Sequence, residues 1–290
     1  MRRLATSVLA AALGLGALLA APRAEAQEIQ LTGPLAGAPA VRKLRQYREG
    51  RFEIAPTVSF SLLDEYRRTI LVGARIQYNI KDWISIGAWG GYGLVSLSTD
   101  LTDQIDQTAP RNSRTGVNVN HTSDASGNIT GKAPFTDQTA KMQWVVSVPN
   151  IQFTPFRGKL AVFQKLFIDT DLYVHGGLGI IGLQERGDCG DTGQKACSDP
   201  GSFALVSRVA FAPTFGLGLN FYTGDFLSIG VEYRALPFAW NRAGFDQRGG
   251  GTNGNFPDLK INSEDRTFKF NQMISIAVGF SFPAAPKISE

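Results

Sequence analysis

Residues Met273 to Phe282 read MISIAVGFSF. Ile274, Ile276, Val278, Phe280 and Phe282 share one parity, and Ser275, Ala277, Gly279 and Ser281 share the other. Side chains of an extended chain point alternately to its two faces, so this segment is a strand with one apolar face and one small, polar face. In a membrane barrel the apolar face meets lipid and the small face meets a narrow lumen. A strand of a soluble sandwich is the alternative for this segment taken alone. The same alternation recurs along the chain. Strands are expected at Phe52 to Leu62, Thr69 to Ile80, Trp83 to Val95, Lys141 to Phe153, Thr170 to Gln184, Phe203 to Phe221, Phe226 to Leu236 and Thr267 to Phe282.

The first 26 residues have the form of a secretory signal. Arg2 and Arg3 precede the uncharged stretch Leu4 to Ala21, and Ala24-Glu25-Ala26 supplies a small-x-small cleavage pattern. Cleavage there leaves a chain starting at Gln27; a retained anchor is the alternative reading. The leader carries three Arg and one Glu, so the formal charge of +4 falls to +2 without it. So balanced a chain makes no electrostatic case for nucleic acid. After Ala26 no apolar run reaches the ~18 residues that a spanning helix needs. Export together with repeated strands of about ten residues points to a barrel, which satisfies every backbone group without helices.

The fold class expected is therefore all-β, an eight-stranded antiparallel transmembrane β-barrel over residues 52–282. It has a short periplasmic arm over 27–51 and a tail over 283–290. Its connections alternate in length. Lys81-Asp82 and Tyr222 to Asp225 are tight turns, whereas Ser96 to Ala140, Glu185 to Ser202 and Pro237 to Arg266 are long and polar. Short periplasmic turns and long outer loops place both termini in the periplasm. Pro149 marks a bulge or register change in the fourth strand. Thr154 to Asp169 is too long for a tight turn, and its alternating Leu160, Val162, Leu166 and Ile168 extend the fifth strand. A hairpin hidden in Ser96 to Ala140 would raise the count to ten. Trp83, Tyr78, Tyr92, Trp144, Tyr173, Tyr222, Tyr233 and Trp240 lie near strand ends and read as interfacial girdles. The apolar face of the last strand, ending in Phe282, reads as the signal recognised by the barrel-insertion machinery.

Leu31 to Ile80 (LTGPLAGAPAVRKLRQYREGRFEIAPTVSFSLLDEYRRTILVGARIQYNI) and Thr154 to Gly179 (TPFRGKLAVFQKLFIDTDLYVHGGLG) carry a family likeness, with the Pro155 to Lys159 turn, the Asp171-Leu172-Tyr173 strand start and the glycine-rich Trp83 to Gly93 block. The chain resembles the outer-membrane β-barrel domain family of myxobacteria and related deltaproteobacteria. That resemblance implies a structural role. Some members belong to envelope-spanning assemblies, including the gliding-motility machinery, and the family implies no active site.

Inward parity collects Glu53, Arg75, Asp171, His175, Arg208, Glu232, Arg234 and Lys269 among many small residues. Eight strands leave an interior just wide enough for side chains to fill. Buried charges persist only when paired, so mixed signs there favour a salt-bridged plug over an open pore. An enzyme would need a nucleophile beside a histidine. His121 lies in a polar loop, and His175 shares a face with Asp171 at i−4, which reads as a structural pair because no Ser is singled out by spacing. Cys189 and Cys197 share one outer loop and read as a disulfide in an oxidising compartment. Asp188, Asp191 and Asp199 flank them without the spacing of a calcium loop, and read as a solvated acidic loop. The expectation is a non-enzymatic scaffold with no catalytic residue, metal or cofactor. Its partners are outer-membrane lipid and periplasmic or envelope-complex proteins. A small-solute channel, and more remotely a lipid-modifying enzyme, are the alternatives.

Overall fold

The computed structural model describes residues 47–108, 115–117, 121–123, 129–132, 135–162, 166–188, 204–250, 254 and 256–284, without the side chains of 121–123, 129–132, 160–162 and 166–167. The proposed leader 1–26, the arm as far as residue 46, both cysteines, Asp191, Asp199 and residues 285–290 lie outside the described residues. Among the described residues no helix is long and apolar enough to cross a membrane.

Among the described residues ten strands and one α-helix follow in order: β1 (Phe52–Leu62), β2 (Arg67–Asn79), β3 (Ile84–Ser98), α1 (Asp100–Thr108), β4 (His121–Ser123), β5 (Ile129–Lys132), β6 (Lys141–Val162), β7 (Leu166–Gly187), β8 (Ala204–Tyr222), β9 (Leu227–Trp240) and β10 (Thr267–Phe282). Eight of them close a ring in the order β1-β10-β9-β8-β7-β6-β3-β2, each pair antiparallel. Closure occurs where β1 meets β10, with Phe52 opposite Phe282 and Leu62 opposite Gln272. The hairpin β4–β5 does lie inside Ser96 to Ala140, but it forms a separate two-stranded sheet and adds nothing to the wall.

The turn end of the barrel carries the tight β2–β3 and β8–β9 connections. At these, Ile80 N–H donates to Ile84 O and Thr223 N–H donates to Leu227 O. The loop end carries the long connections. There Thr99 opens α1 by accepting from the Asp103 N–H through its carbonyl and from the Thr102 N–H through its hydroxyl. Such a cap satisfies amides that a helix start otherwise leaves orphaned.

Burial alternates along the wall in the sense the sequence demands, with an unusual sign. In β1 the inward Glu53, Thr57, Ser59 and Ser61 are buried, whereas the outward Phe52, Ile54, Val58 and Phe60 are exposed. In β10 Ser275, Ala277 and Ser281 are buried while Ile274, Ile276, Val278 and Phe282 are exposed. Along these two strands apolar side chains form the outer surface of the ring, and the inner face is mostly polar.

Three expectations needed correction. Thr154 to Asp169 does not merely extend one strand. It belongs to both β6 and β7, which pair with each other down to Val162 opposite Leu166. β3 leaves β6 at Phe153 and β8 leaves β7 at Asp169, so the end of the hairpin, where Leu160 to Val162 face Leu166 to Ile168, projects past the turn end. Tyr173, Tyr222 and Trp240 are not girdle residues: all three are buried on the inner face, whereas Trp83, Tyr78 and Tyr92 are exposed. Proximity to a strand end was the wrong criterion, because parity decides the face. Finally, β2 begins two residues early, at Arg67, and β3 and β9 run on to Ser98 and Trp240. Pro149 behaves as read: the register shifts between Ser147 and Asn150 against β7.

Candidate functional site

Buried ionisable side chains converge in the lumen, in layers along the barrel axis. The central layer joins five of the eight inward residues singled out by parity. Arg75 donates from Nη2 to Glu53 Oε1 at 2.9 Å and from Nη1 to Glu232 Oε2 at 3.0 Å. Arg234 donates from Nε and Nη2 to Glu232 Oε1 at 3.0 and 2.5 Å. His175 Nε2 stands 3.5 Å from the same oxygen. Two guanidiniums therefore face two carboxylates, and none of the four side chains is more than 4% exposed. These groups come from β1, β2, β7 and β9: Glu53–Arg75 joins neighbouring strands, Glu232–Arg234 lies along one strand, and Arg75–Glu232 crosses the lumen.

Sequence reasoning missed the residues that complete this layer. The Tyr173 hydroxyl accepts from Arg75 Nη1 and donates to Glu232 Oε2 at 3.0 Å. Asn220 Oδ1 accepts from Arg75 at 3.4 Å, Thr214 accepts from Arg234 at 3.1 Å, and the Arg234 guanidinium lies 4.5 Å from the Trp89 ring centroid. Tyr173 was legible: it shares parity with Asp171 and His175. Room for its ring comes from Gly218, where an added Cβ would come within 2.3 Å of Tyr173 Cζ.

The other three inward residues sit elsewhere. Asp171 lies in a second layer at the turn-end mouth. There Arg48, just before β1, reaches in and bonds Asp171 at 3.1 Å, the Tyr222 hydroxyl at 2.8 Å and the Thr154 hydroxyl at 3.2 Å. Asp171 and His175 are therefore not partners, because each is claimed by a nearer guanidinium or carboxylate. Burial disfavours the charged Arg48, but Tyr222, Asp171 and Glu53 outweigh it, so its pKa is raised. Asp82, in the β2–β3 turn, accepts from the Arg48 and Glu49 N–H groups at 2.7 and 3.1 Å and stands 3.2 Å from Arg157. Desolvation opposes its ionisation, yet those donors prevail and hold its carboxyl below the usual aspartate range.

Arg208 belongs to the loop-end rim, where it forks onto Glu185 with both distances 2.9 Å. Arg266 joins the same carboxylate at 3.3 Å. Lys269 is half-exposed and pairs at the rim with Glu65 at 3.2 Å, which in turn stands 3.8 Å from Arg242. Between rim and centre the lumen turns apolar: Leu71, Val145, Ile181, Leu183, Leu236 and Met273 interdigitate with Trp89 and Trp240. Above them Arg242 bonds Asn271 Oδ1 at 2.6 Å, the Leu63 carbonyl at 3.2 Å and Asp64 at 3.4 Å, tying the β1–β2 and β9–β10 connections over the mouth.

Among the described residues His175 meets the Tyr233 carbonyl, Glu232 and the Tyr173 ring, none of them a seryl, threonyl or cysteinyl nucleophile. Among the described residues no group of three or more His, Cys, Asp or Glu is arranged to hold a metal ion. The arrangement can neutralise charge and fill space.

No protein-family model matches the chain, and no curated protein matches it. Several solved structures do. The N-terminal beta-barrel domain of Pseudomonas aeruginosa OprF is 11% identical, with 82% of this chain and 100% of that one covered at a TM-score of 0.40. Neisserial surface protein A is 10% identical, over 80% and 98% of the two chains, with a TM-score of 0.35. Ail, the attachment invasion locus protein of Yersinia pestis, is 9% identical over 81% and 99%, with a TM-score of 0.32.

Proposed function

We propose that this chain is a non-enzymatic outer-membrane β-barrel that anchors an envelope complex. The observation that carries the reading is the inverted surface: an apolar outer wall around a lumen of paired charges. In water such a wall would expose a contiguous apolar belt far beyond what monomeric soluble proteins tolerate. In a bilayer it is the favoured arrangement, and a closed ring leaves no unpaired backbone in lipid. The leader expected at residues 1–26 supplies the export route, and the face of β10 ending at Phe282 supplies the insertion signal. The tight turns then lie in the periplasm and the long loops outside.

The Arg75 contacts with Glu232 and Tyr173 across the centre and Arg48 at the mouth favour a plug over a channel, since a water column would have to part both. The periplasmic side offers the arm before Phe52 and the projecting β6–β7 hairpin as contact surfaces. An assembly of the gliding-motility type is the instance that the family resemblance suggests. A photoreactive residue at Tyr47, which is exposed at the arm's junction with the barrel, tests the idea in cells. Capture of discrete periplasmic or inner-membrane proteins is the expected outcome. Capture of lipid or peptidoglycan alone, together with stable single-channel conductance of the purified barrel, would overturn the anchor in favour of a channel.

A further inference from the structure

We infer that the wall parts between β8 and β9 at the loop end, and that this seam admits an acyl chain of an outer-leaflet lipid to the apolar half of the lumen. The inference rests on the membrane reading above. The β8–β9 ladder runs from Tyr222 opposite Ser228 to Phe215 opposite Ala235 and stops there. Both strands continue: β8 stays paired with β7 as far as Ala204, and β9 with β10 as far as Trp240. Continued in the same register, the next outward rung would set Pro213 opposite Pro237. Backbone groups of successive residues turn to opposite neighbours. A Cβ added to Gly179 of β7 would lie 3.3 Å from the Ala212 carbonyl oxygen, so even positions of β8 turn to β7 and Pro213 turns to β9. A Cβ added to Gly216 of β8 would strike the Tyr233 carbonyl oxygen, so odd positions of β9, Pro237 among them, turn to β8. This rung is therefore one that exchanges two N–H···O bonds, and neither proline has an N–H to give. At the Ala239 rung beyond it, Arg208 Nη2 donates to the Ala239 carbonyl at 2.9 Å, a side chain standing where a strand amide would be.

What lies on either side of the seam selects the occupant. Behind it, Ala210 and Ala212 of β8 and Leu236 and Phe238 of β9 are buried in the apolar layer of the lumen. In front, Phe211 of β8 and Phe268 and Phe270 of β10 are exposed. Eight closed rungs on strands tilted ~40° rise roughly 20 Å, so in a belt ~25 Å tall the seam opens in the outer-leaflet half, among acyl chains. The route is apolar from end to end, and beneath it the Glu232–Arg234 pair closes the lumen. A hydrated solute would have to shed its water on this route, whereas an alkyl chain has none to shed. A peptide strand laid into the seam would meet a proline on each side, without donors for its carbonyls.

The full-length barrel in vesicles doped with a phospholipid that carries a diazirine midway along one acyl chain tests the route. Adducts formed on illumination are mapped by mass spectrometry. They are expected on the inward Leu236 or Phe238 as well as on the outward Phe211, and not on Tyr173 in the ion-paired layer. Pro213→Val together with Pro237→Val restores both donors. It should lower inward adducts relative to outward ones about tenfold, the shift that two regained hydrogen bonds give between parted and closed strands. Arg208→Ala releases the Ala239 carbonyl and should raise the inward yield. Inward positions unlabelled on the inserted wild type, or labelled no less in the inserted proline double variant, sink the route, as does labelling of Tyr173 equal to that of Leu236. Should the double variant fail to insert, Arg208→Ala decides, and an unchanged inward yield there sinks it. Failure of the unaltered barrel to insert overturns the membrane reading itself, which separates the two claims.

Discussion

The two halves of the lumen are built on one rule of parity and two kinds of chemistry. Toward the turn end, β7 and β9 present Asp171, Tyr173 and His175, and Glu232 and Arg234; toward the loop end the same strands present Ile181 and Leu183, and Leu236, Phe238 and Trp240. The apolar half is held by packing, where any shape-compatible side chain contributes. The polar half is held by pairing, where each charge is favourable only while its partner stands beside it. The difference teaches where the barrel is fragile. A packed layer loses the contacts of the atoms removed, whereas an ion-paired layer also strands the charges that remain.

Breaking the polar half should have the largest effect. Glu232 neutralises both Arg75 and Arg234, so Glu232→Gln leaves two buried guanidiniums facing Glu53 alone. A loss of about 3–5 kcal/mol is expected, read from urea unfolding of the barrel in lipid vesicles. A loss under about 1 kcal/mol would show that water enters the layer and replaces the missing charge. Breaking the apolar half comes next. Leu236→Ala removes a fully buried side chain and should lower stability by about 2–4 kcal/mol. Glu232 and Leu236 lie two rungs apart on β9 and share no side-chain partner in the ion-pair layer, so the double variant should be additive to within about 0.5 kcal/mol. Marked non-additivity would mean that the two halves form one coupled unit.

The smallest effect sharpens the boundary of the polar half. Asp82 has a folded pKa below its unfolded one, so its contribution is present above the unfolded aspartate range and is lost as pH falls through the folded value. Its partial exposure limits that contribution to under about 1 kcal/mol. Hydrogen exchange at the Arg48 and Glu49 amides should therefore quicken, relative to other amides, as pH is lowered through the acid range, and Asp82→Asn should remove that acid sensitivity. Amides equally protected at both ends of the range would mean that the Arg48 side chain alone seats this segment.

Much of the molecule was legible because a barrel wall is a periodic object. Alternation in Met273 to Phe282 assigned each residue its face, and inward parity put Glu53, Arg75, His175, Glu232 and Arg234 in the lumen together with Asp171, Arg208 and Lys269. What stayed hidden depended on axial height. Arg208, Lys269 and Asp171 share parity with the central five but lie at other levels, set by strand stagger and by the bulges in β6. Arg48 could not be read as a lumen residue at all, because it precedes the first strand and follows no alternation.

The sequence by itself therefore determined the element type, the face of each strand residue and the inverted polarity of the wall, since each follows from a period of two along a single chain. The tertiary structure alone decided which charge meets which, that Arg48 stoppers the mouth, and that β6 and β7 run on together past the ring. Those outcomes depend on register between strands distant in sequence, and one shift of register re-pairs every side chain in the ladder.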